Sequence, residues 1–197
     1  VVGVNFYNTF NPNGKWNELI TNVQQRLSNG ENPKDIFDDV RNFSDGFALV
    51  KLNYKWNFIN TKGELISDQW FDWVGDFYEG FARVRLIGKD YNFINTDGEI
   101  ISDQWFDSVG NFNNGFAPVK LNDKWNLINT DGEIAFNQWF NWLSDFKNGF
   151  ARVELNHKWN FINKNGEIIS NQWFYWVDDF NNGFAPVKLN DKWNFIN

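Results

Sequence analysis

His157 is the only imidazole in the chain, and cysteine is absent. Thiolate nucleophiles, Cys-ligated zinc and disulfides are therefore excluded together. A single histidine also cannot furnish a His-rich metal site, and it makes a poor start for a Ser-His-Asp triad. His157 occupies a loop position that is Tyr54, Asp123 or Asp191 in other copies of an internal repeat, so a solvated turn residue is the expectation. Carboxylates are the remaining reactive groups: Asp38-Asp39, Asp178-Asp179 and the Asp-Gly-Glu turns. Two carboxylates cleave glycosides when they stand roughly 5 or 6.5–9.5 Å apart. These recur with a period instead of converging on one place, whereas catalytic groups are singular. The Asp-Gly turns also lack the acidic density of a calcium loop. No enzyme, no metal and no cofactor are expected.

The elements that carry these residues come from the repeat. Gly115-Phe-Ala-Pro-Val-Lys-Leu-Asn-Asp-Lys-Trp-Asn-Leu-Ile-Asn129 recurs around Gly46, Gly80, Gly149 and Gly183, at steps of 34, 35, 34 and 34 residues. Phe112–Asn126 is identical to Phe180–Asn194, which points to internal duplication. Ala117, Val119 and Leu121 alternate with Phe116, Pro118 and Lys120, the period of a strand. Asn122-Asp123 fits a two-residue hairpin turn, and Trp125 to Asn129 the returning strand. Gly63, Gly98, Gly132 and Gly166 follow as turn glycines with positive φ, and Glu133-Ile134 is expected to open a third strand. The link Asp68 to Val74 reads as strand or tight turn, with strand preferred.

Aromatics make up 20% of the chain, with 22 Phe and 12 Trp. Each buries 150–250 Å², so Trp56, Trp125, Trp159, Trp193 and the Gln-Trp-Phe sets at 69–71, 104–106, 138–140 and 172–174 are assigned to the core. The recurrent Asn57, Asn92, Asn126, Asn160 and Asn194 are expected to be hydrogen-bonded ladders or turn fillers, not ligands. Leu49, Arg83, Pro118, Arg152 and Pro186 share one strand position; proline lacks an N–H, so these are expected to point outward at an edge or strand end.

Residues 1–35 stand apart from the repeats, which occupy 36–197. Val1 to Phe6 reads as a short strand. Trp16, Leu19, Ile20, Val23 and Leu27 share one helical face, giving an amphipathic helix near 15–28 with Asn13 as its N-cap. That helix is expected to cap one end of the array, since a terminal repeat otherwise exposes its stacking face.

The pattern Gly-Phe-Ala-x-Val-x-Leu, Lys-Trp-x-Phe-Ile-Asn and Gly-Glu-x-Ile resembles the WG (or KWG) repeat of bacterial proteins over about residues 36–197. Two features depart from it. The glycine after Trp is Asn57, Asn92, Asn126, Asn160 or Asn194, with Tyr91 replacing Trp once, and Gln-Trp-Phe-Asp replaces a Pro-x-Tyr-Asp-like segment. The resemblance implies a β-rich scaffold and brings no catalytic residues.

The reading is thus all-β: an array of about five 34-residue β-hairpin repeats with an N-terminal capping helix. A unit shorter than a usual blade of about 40–45 residues favours an open, superhelical array over a closed propeller-like ring. The net charge of −7 argues against duplex nucleic acid, and no apolar run is long enough to span a bilayer. The lack of cysteine and of an initiator methionine leans toward an extracytoplasmic bacterial setting. A scaffold for a protein partner is the preferred function, with a carbohydrate-binding module as the alternative. Function should collect where the copies differ: Trp73, Trp142 and Trp176 on the link, Arg83 and Arg152 on the first strand, and Tyr78 and Lys147 beside the glycines. The link position is Ser108 or Asp39 in the other copies, so a ring there is not obligatory core.

Overall fold

A computed structural model describes residues 15–197. The expected strand at Val1–Phe6 and the cap at Asn13 lie outside the described residues. The first element is helix α1 (Lys15–Ser28), as the apolar spacing predicts. Glu18 in its first turn and Arg26 in its last both suit the helix dipole. The helix ends in a Schellman motif: Gly30 N–H donates to Leu27 O and Glu31 N–H to Arg26 O, with Gly30 at φ 77°. A 3-10 turn, Pro33–Asp35, leads into the repeats.

Five separate three-stranded antiparallel sheets follow, each a meander of a leading, a central and a returning strand. They comprise β1 (Asp39–Val40), β2 (Phe47–Leu52) and β3 (Lys55–Asn60); β4 (Trp73–Tyr78), β5 (Phe81–Leu86) and β6 (Asp90–Asn95); β7 (Ser108–Val109), β8 (Phe116–Leu121) and β9 (Lys124–Asn129); β10 (Trp142–Leu143), β11 (Phe150–Leu155) and β12 (Lys158–Asn163); and β13 (Trp176–Val177), β14 (Ala185–Leu189) and β15 (Lys192–Ile196). No sheet closes on itself: β1 pairs with β2 alone and β15 with β14 alone. Contacts group the chain into two compact units that divide between Trp105 and Phe106.

Turn chemistry sets the register. Asn122 and Asp123 have φ of 49° and 59°, the doubly positive pair of a type I′ turn that matches strand twist. In the second sheet Ile87, Gly88 and Lys89 form a longer loop, which accounts for the extra residue there. A second tight turn precedes each central strand, for example Asn114-Gly115 at φ 54° and 84°. Of the link Asp68 to Val74 only Trp73 and Val74 are strand, paired to the central strand that follows, while the residues before them are irregular apart from the Phe71 bridge to Trp56. Conversely, Glu133-Ile134 opens no third strand: Ile134 forms a single bridge with Ile128. The reason is the turn before it, where Asn129 Oδ1 accepts the N–H groups of Asp131 and Glu133 and curls the chain away.

Within each compact unit neighbouring sheets bury their facing sides, while the outer face of the last sheet stays open, with Phe184 and Phe195 exposed. In the first unit, Ala48, Val50, Leu52 and Ile59 pack with Val23, Ile36 and Phe37, and Leu19, Ile20 and Leu27 flank them, so α1 covers the first sheet. On the opposite face Leu49 and Phe58 meet Val74, Phe77, Ala82 and Val84 of the second sheet. In the second unit Leu127 packs against Ala151 and Val153, and Phe161 against Ala185 and Val187. Within each unit a small Ala/Val face thus seats a large Phe/Leu face, and each buried Phe contributes about 1.5–3 kcal/mol.

This stacking corrects two expectations. Leu49 is 3% exposed, and Arg83, Pro118, Arg152 and Pro186 are half-buried, so the position does not point outward. Pro118 is tolerated for a local reason. Its carbonyl accepts the Gly110 N–H, but β7 has ended and offers no backbone acceptor opposite the missing amide. At Arg152 the same amide donates to the Ser144 hydroxyl. The tryptophans are the second correction. Phe71, Phe106, Phe140 and Phe174 are core, whereas Trp56, Trp125 and Trp159 are half-buried and Trp193 is exposed. Among the Gln-Trp-Phe tryptophans only Trp70 is buried, in the cluster covered by α1.

Four of the five recurrent asparagines are buried and hydrogen-bonded within their own repeats, whereas Asn194 is exposed and accepts only from Phe195. Asn126 is fully buried; its Nδ2 donates to Phe136 O and Gln138 O, and its Oδ1 accepts from the Leu127 and Phe136 amides. Asn57, Asn92 and Asn160 donate to Ser67, Ser102 and Ser170 carbonyls in the same way. The amide side chain ties the returning strand to the irregular segment after the turn, where no β ladder is available. The four turn glycines, Gly63, Gly98, Gly132 and Gly166, have φ of 82°, 83°, 80° and 85°, as expected.

Candidate functional site

The carboxylates come first, because any reaction would need them. Asp38, Asp72 and Asp107 accept the amides of Asn53, Ile87 and Asn122, each closing the next hairpin. Asp72 also pairs with Lys55 at 2.6 Å. Glu64, Glu99, Glu133 and Glu167 accept from the turn asparagines. Their chemistry is consumed by backbone satisfaction, copy by copy. His157 is the second residue of a type I′ turn, at φ 62°, and its side chain is fully exposed. Among the described residues no cluster of three or more His, Cys, Asp or Glu could hold a metal ion.

The positions that vary between copies lie on one face of each sheet, in a cross-strand row. Trp73 pairs with Arg85, which pairs with Tyr91; Trp142 pairs with Glu154, then Trp159; Trp176 pairs with Lys188, then Trp193. In each row two aromatic rings flank a long charged side chain. Trp73, Trp142 and Trp176 are 39%, 37% and 40% exposed. Each meets its row partner edge-on, with ring centroids 6.0, 5.3 and 5.0 Å apart. None of the three joins a core cluster. Arg83 and Arg152 sit two residues before the row centre, their guanidinium carbons 5.5 and 5.7 Å from the Trp73 and Trp142 rings. Proline at 186 leaves Trp176 without such a cation.

Lys147 and Arg152 converge on one carboxylate of the next link: Lys147 Nζ is 2.8 Å from Asp179 Oδ2 and Arg152 Nε 3.0 Å from Asp179 Oδ1, with Asp178 3.7 Å from Arg152. Tyr78, the remaining candidate, is 55% exposed beside the Glu79-Gly80 turn. The structure thus joins Trp73 to Arg83, and Trp142 to Arg152 with Lys147 nearby. Residues that the sequence did not assign to the site are Arg85 and Tyr91, and Asp178-Asp179, considered there only as a carboxylate pair, proves to be the acceptor of Lys147 and Arg152. The alternation of Arg83 and Arg85 on one strand, which places both on one face, was the available signal.

The Lys147 hydrogen bond, aided by the Arg152 charge and opposed by partial burial, holds the Asp179 carboxyl below its ordinary value. A depressed folded-state value means that the pair's contribution is present above the unfolded value, near 4, and is lost as pH falls through the folded one. In an NMR titration Asp179 is expected to protonate below the ordinary aspartate value, and Lys147→Ala should move its midpoint upward. An unmoved midpoint would remove Lys147 as the cause.

Trp142→Ala should cost about 1–2 kcal/mol, the scale of an edge-on aromatic pair plus a cation–π contact. A core aromatic would cost 3–5 kcal/mol. Thermal melts decide between the two, and a loss in the higher range would make Trp142 a seam residue.

The profile of the WG containing repeat matches five times, at residues 36–56, 58–89, 93–125, 127–159 and 161–193. No curated protein sequence matches the chain. Similar solved structures include the computationally designed Ika8 protein, at 9% identity and TM-score 0.38, covering 80% of this chain and 57% of that one. BamB from Moraxella catarrhalis is similar at 12% identity and TM-score 0.37, over 80% and 57%. The WD40 beta propeller domain of Doa1 is similar at 15% identity and TM-score 0.31, over 77% and 60%. The chain therefore spans a little over half the length of these structures.

Proposed function

This chain belongs to the WG repeat family, and from that premise we propose that it is a non-catalytic scaffold whose repeats mediate protein–protein interaction. The observation that carries the reading is the row of two partly exposed rings flanking a charged side chain, presented by the second, fourth and fifth sheets. Trp, Tyr and Arg are the residues that dominate protein interfaces, because they supply large contact area with few rotamers. The middle residue changes from Arg85 to Lys120, Glu154 and Lys188 along the chain, so successive rows offer different charges on one framework. The consumption of the carboxylates by turn amides supports the non-catalytic part of the proposal.

A carbohydrate module is the second reading, drawn from the exposed Trp rings beside Asp and Asn. It asks for ring faces that are open to a sugar's C–H surface. Trp142 and Trp176 instead meet a second indole edge-on, and Arg152 lies over the Trp142 ring, which favours the protein reading.

The test uses the purified chain beside its Trp73→Ala and Trp142→Ala variants, with partner capture from an extract of the producing cells and a glycan array run on the same samples. The scaffold reading expects a specific protein captured by the parent chain, weakened by either substitution with the fold retained. Glycan binding that is lost in those variants, with no protein captured, would replace it with the carbohydrate reading.

A further inference from the structure

Of the five arginines in the chain, Arg26, Arg41 and Arg152 have a carboxylate oxygen within 4.0 Å, whereas Arg83 and Arg85 have none. These two stand on the same face of β5 in a chain of net charge −7, where carboxylates outnumber cations. Arg83 is half-buried, and its Nε is buried without a hydrogen-bond partner. Arg85 is exposed, with its guanidinium 5.3 Å from the Tyr91 ring centroid. Arg152 Nε is likewise buried without a hydrogen bond, so the opening for an anion is carried by the exposed Arg85, beside an Arg83 guanidinium that meets no carboxylate among the described residues.

The protein itself displays what such an arginine binds. Arg152 occupies the same strand position as Arg83 and lies over Trp142 as Arg83 lies over Trp73, at 5.7 and 5.5 Å. Arg152 receives Asp178 and Asp179, two adjacent carboxylates on one stretch of backbone. Those acids follow Trp176 by two and three residues. In the link after Arg83 the corresponding sequence positions are Gly110 and Asn111, which carry no charge. The second repeat therefore keeps the arginine and the indole, adds Arg85, and lacks the acidic pair.

We propose that Arg83 and Arg85, framed by Trp73 and Tyr91, form a docking site for an acidic peptide segment bearing adjacent aspartates on the protein partner. The inference rests on the scaffold reading and specifies the chemistry of its partner. Arg85 takes one carboxylate from the exposed side of the row, while the terminal N–H groups of Arg83 take the other. Planar guanidinium groups hold carboxylates with two directed N–H donors, which lysine does not offer. The half-exposed Trp73 beside them provides a fluorescence signal.

The experiment titrates the full chain with a short Gly/Ser peptide carrying a central Asp-Asp, with its Asn-Asn counterpart, and with oligogalacturonate as a uronic-acid control. Tryptophan fluorescence reports binding, and circular dichroism melts report the fold. The Asp-Asp peptide should saturate and should weaken as salt is raised through 0.1 M, where screening reaches about 10 Å. The Asn-Asn peptide should not bind. The Arg83→Gln/Arg85→Gln variant should lose at least about tenfold in affinity, the scale of one charged pair. The Arg83→Lys/Arg85→Lys variant should lie between the two, which guards against misreading a folding defect as lost recognition.

Equal binding of both peptides, no binding of the Asp-Asp peptide, or affinity indifferent to Arg83→Gln/Arg85→Gln would overturn the site. So would arginine-dependent binding of oligogalacturonate alone. A partner protein captured equally by the parent and the double variant would also overturn it, yet would leave the scaffold reading standing. Failure to capture any protein, with the Asp-Asp peptide bound as expected, would remove the scaffold reading instead.

Discussion

Gly98→Ala is expected to destabilise the protein by about 3–5 kcal/mol, while the same change at Gly63 costs about 1 kcal/mol. Both glycines close the same turn, with φ of 83° and 82°, so both substitutions carry the left-handed strain of an L-residue, about 1–2 kcal/mol. They differ in what surrounds them. A Cβ on Gly63 would meet nothing within 4 Å, whereas one on Gly98 would overlap the Ile66 carbonyl oxygen and approach Ser67 Cα at 3.3 Å. Backbone cannot rotate aside as a side chain does, so the overpacking cost of about 1–3 kcal/mol or more adds in full. Gly166 should fall between, since its neighbour is the Phe136 ring edge at 3.1 Å. Denaturant melts of the three variants should rank Gly63, Gly166 and Gly98 in order of increasing loss. Equal losses would mean that the turns do not nest against the preceding repeat.

The second large effect concerns a buried asparagine. Asn126→Ala removes the partners of four buried backbone contacts: two carbonyls at 2.8 and 3.2 Å and two amides at 2.8 and 3.2 Å. Each orphaned buried group costs roughly 1–3 kcal/mol, partly relieved by water or relaxation, so a total of about 3–5 kcal/mol is expected. Asn194→Ala is the internal control. Its amide side chain is exposed and accepts a single bond from Phe195, so the change should stay within about 0.5 kcal/mol. Asn126→Asp sharpens the point, because a carboxylate there would face the Phe136 and Gln138 carbonyl oxygens. That variant should be poorer than Ala at neutral pH and should recover on acidification, when the carboxyl regains a donor. A pH-independent loss would place the side chain elsewhere.

This pair of asparagines shows what the sequence could and could not reveal. Phe112–Asn126 and Phe180–Asn194 are the same string of residues, yet Asn126 is buried and Asn194 exposed, and Trp125 is half-buried where Trp193 is 61% exposed. Local pattern fixes hairpins, because a type I′ turn needs only Asn-Asp or Asn-Gly between alternating strands. Burial depends on which face the next repeat covers, and that information lies elsewhere in the chain. Hence the hairpins, the capping helix and the positive-φ glycines were legible. The half-buried tryptophans were not, since aromatic recurrence signals packing without saying whether the ring is inside the stack or along its rim.

The candidate site was legible in part for the same reason. Variation between copies pointed to Trp73, Arg83, Trp142 and Arg152, and the strands bring each Arg to its Trp. Two features depended on register instead. Arg85 joins Trp73 to Tyr91 only because the leading strand pairs at that residue. Asp178-Asp179 meets Arg152 only because consecutive repeats stack. Of the carboxylates weighed as catalytic candidates, Asp38 caps the next hairpin by accepting the Asn53 amide, as Asp72 and Asp107 do in later copies; their periodicity already set them apart from a single active site.

The scaffold account is tested most directly by site-resolved photo-cross-linking in the producing cells. A benzophenone amino acid is placed at Tyr78, at the far end of the strand that carries Trp73, and separately at Lys62, an exposed turn residue. The account predicts a discrete adduct with one protein from position 78, weaker when Trp73 is also replaced by Ala, and none from position 62. Adducts of equal yield from both positions, or none from either while the folded chain is present, would contradict it.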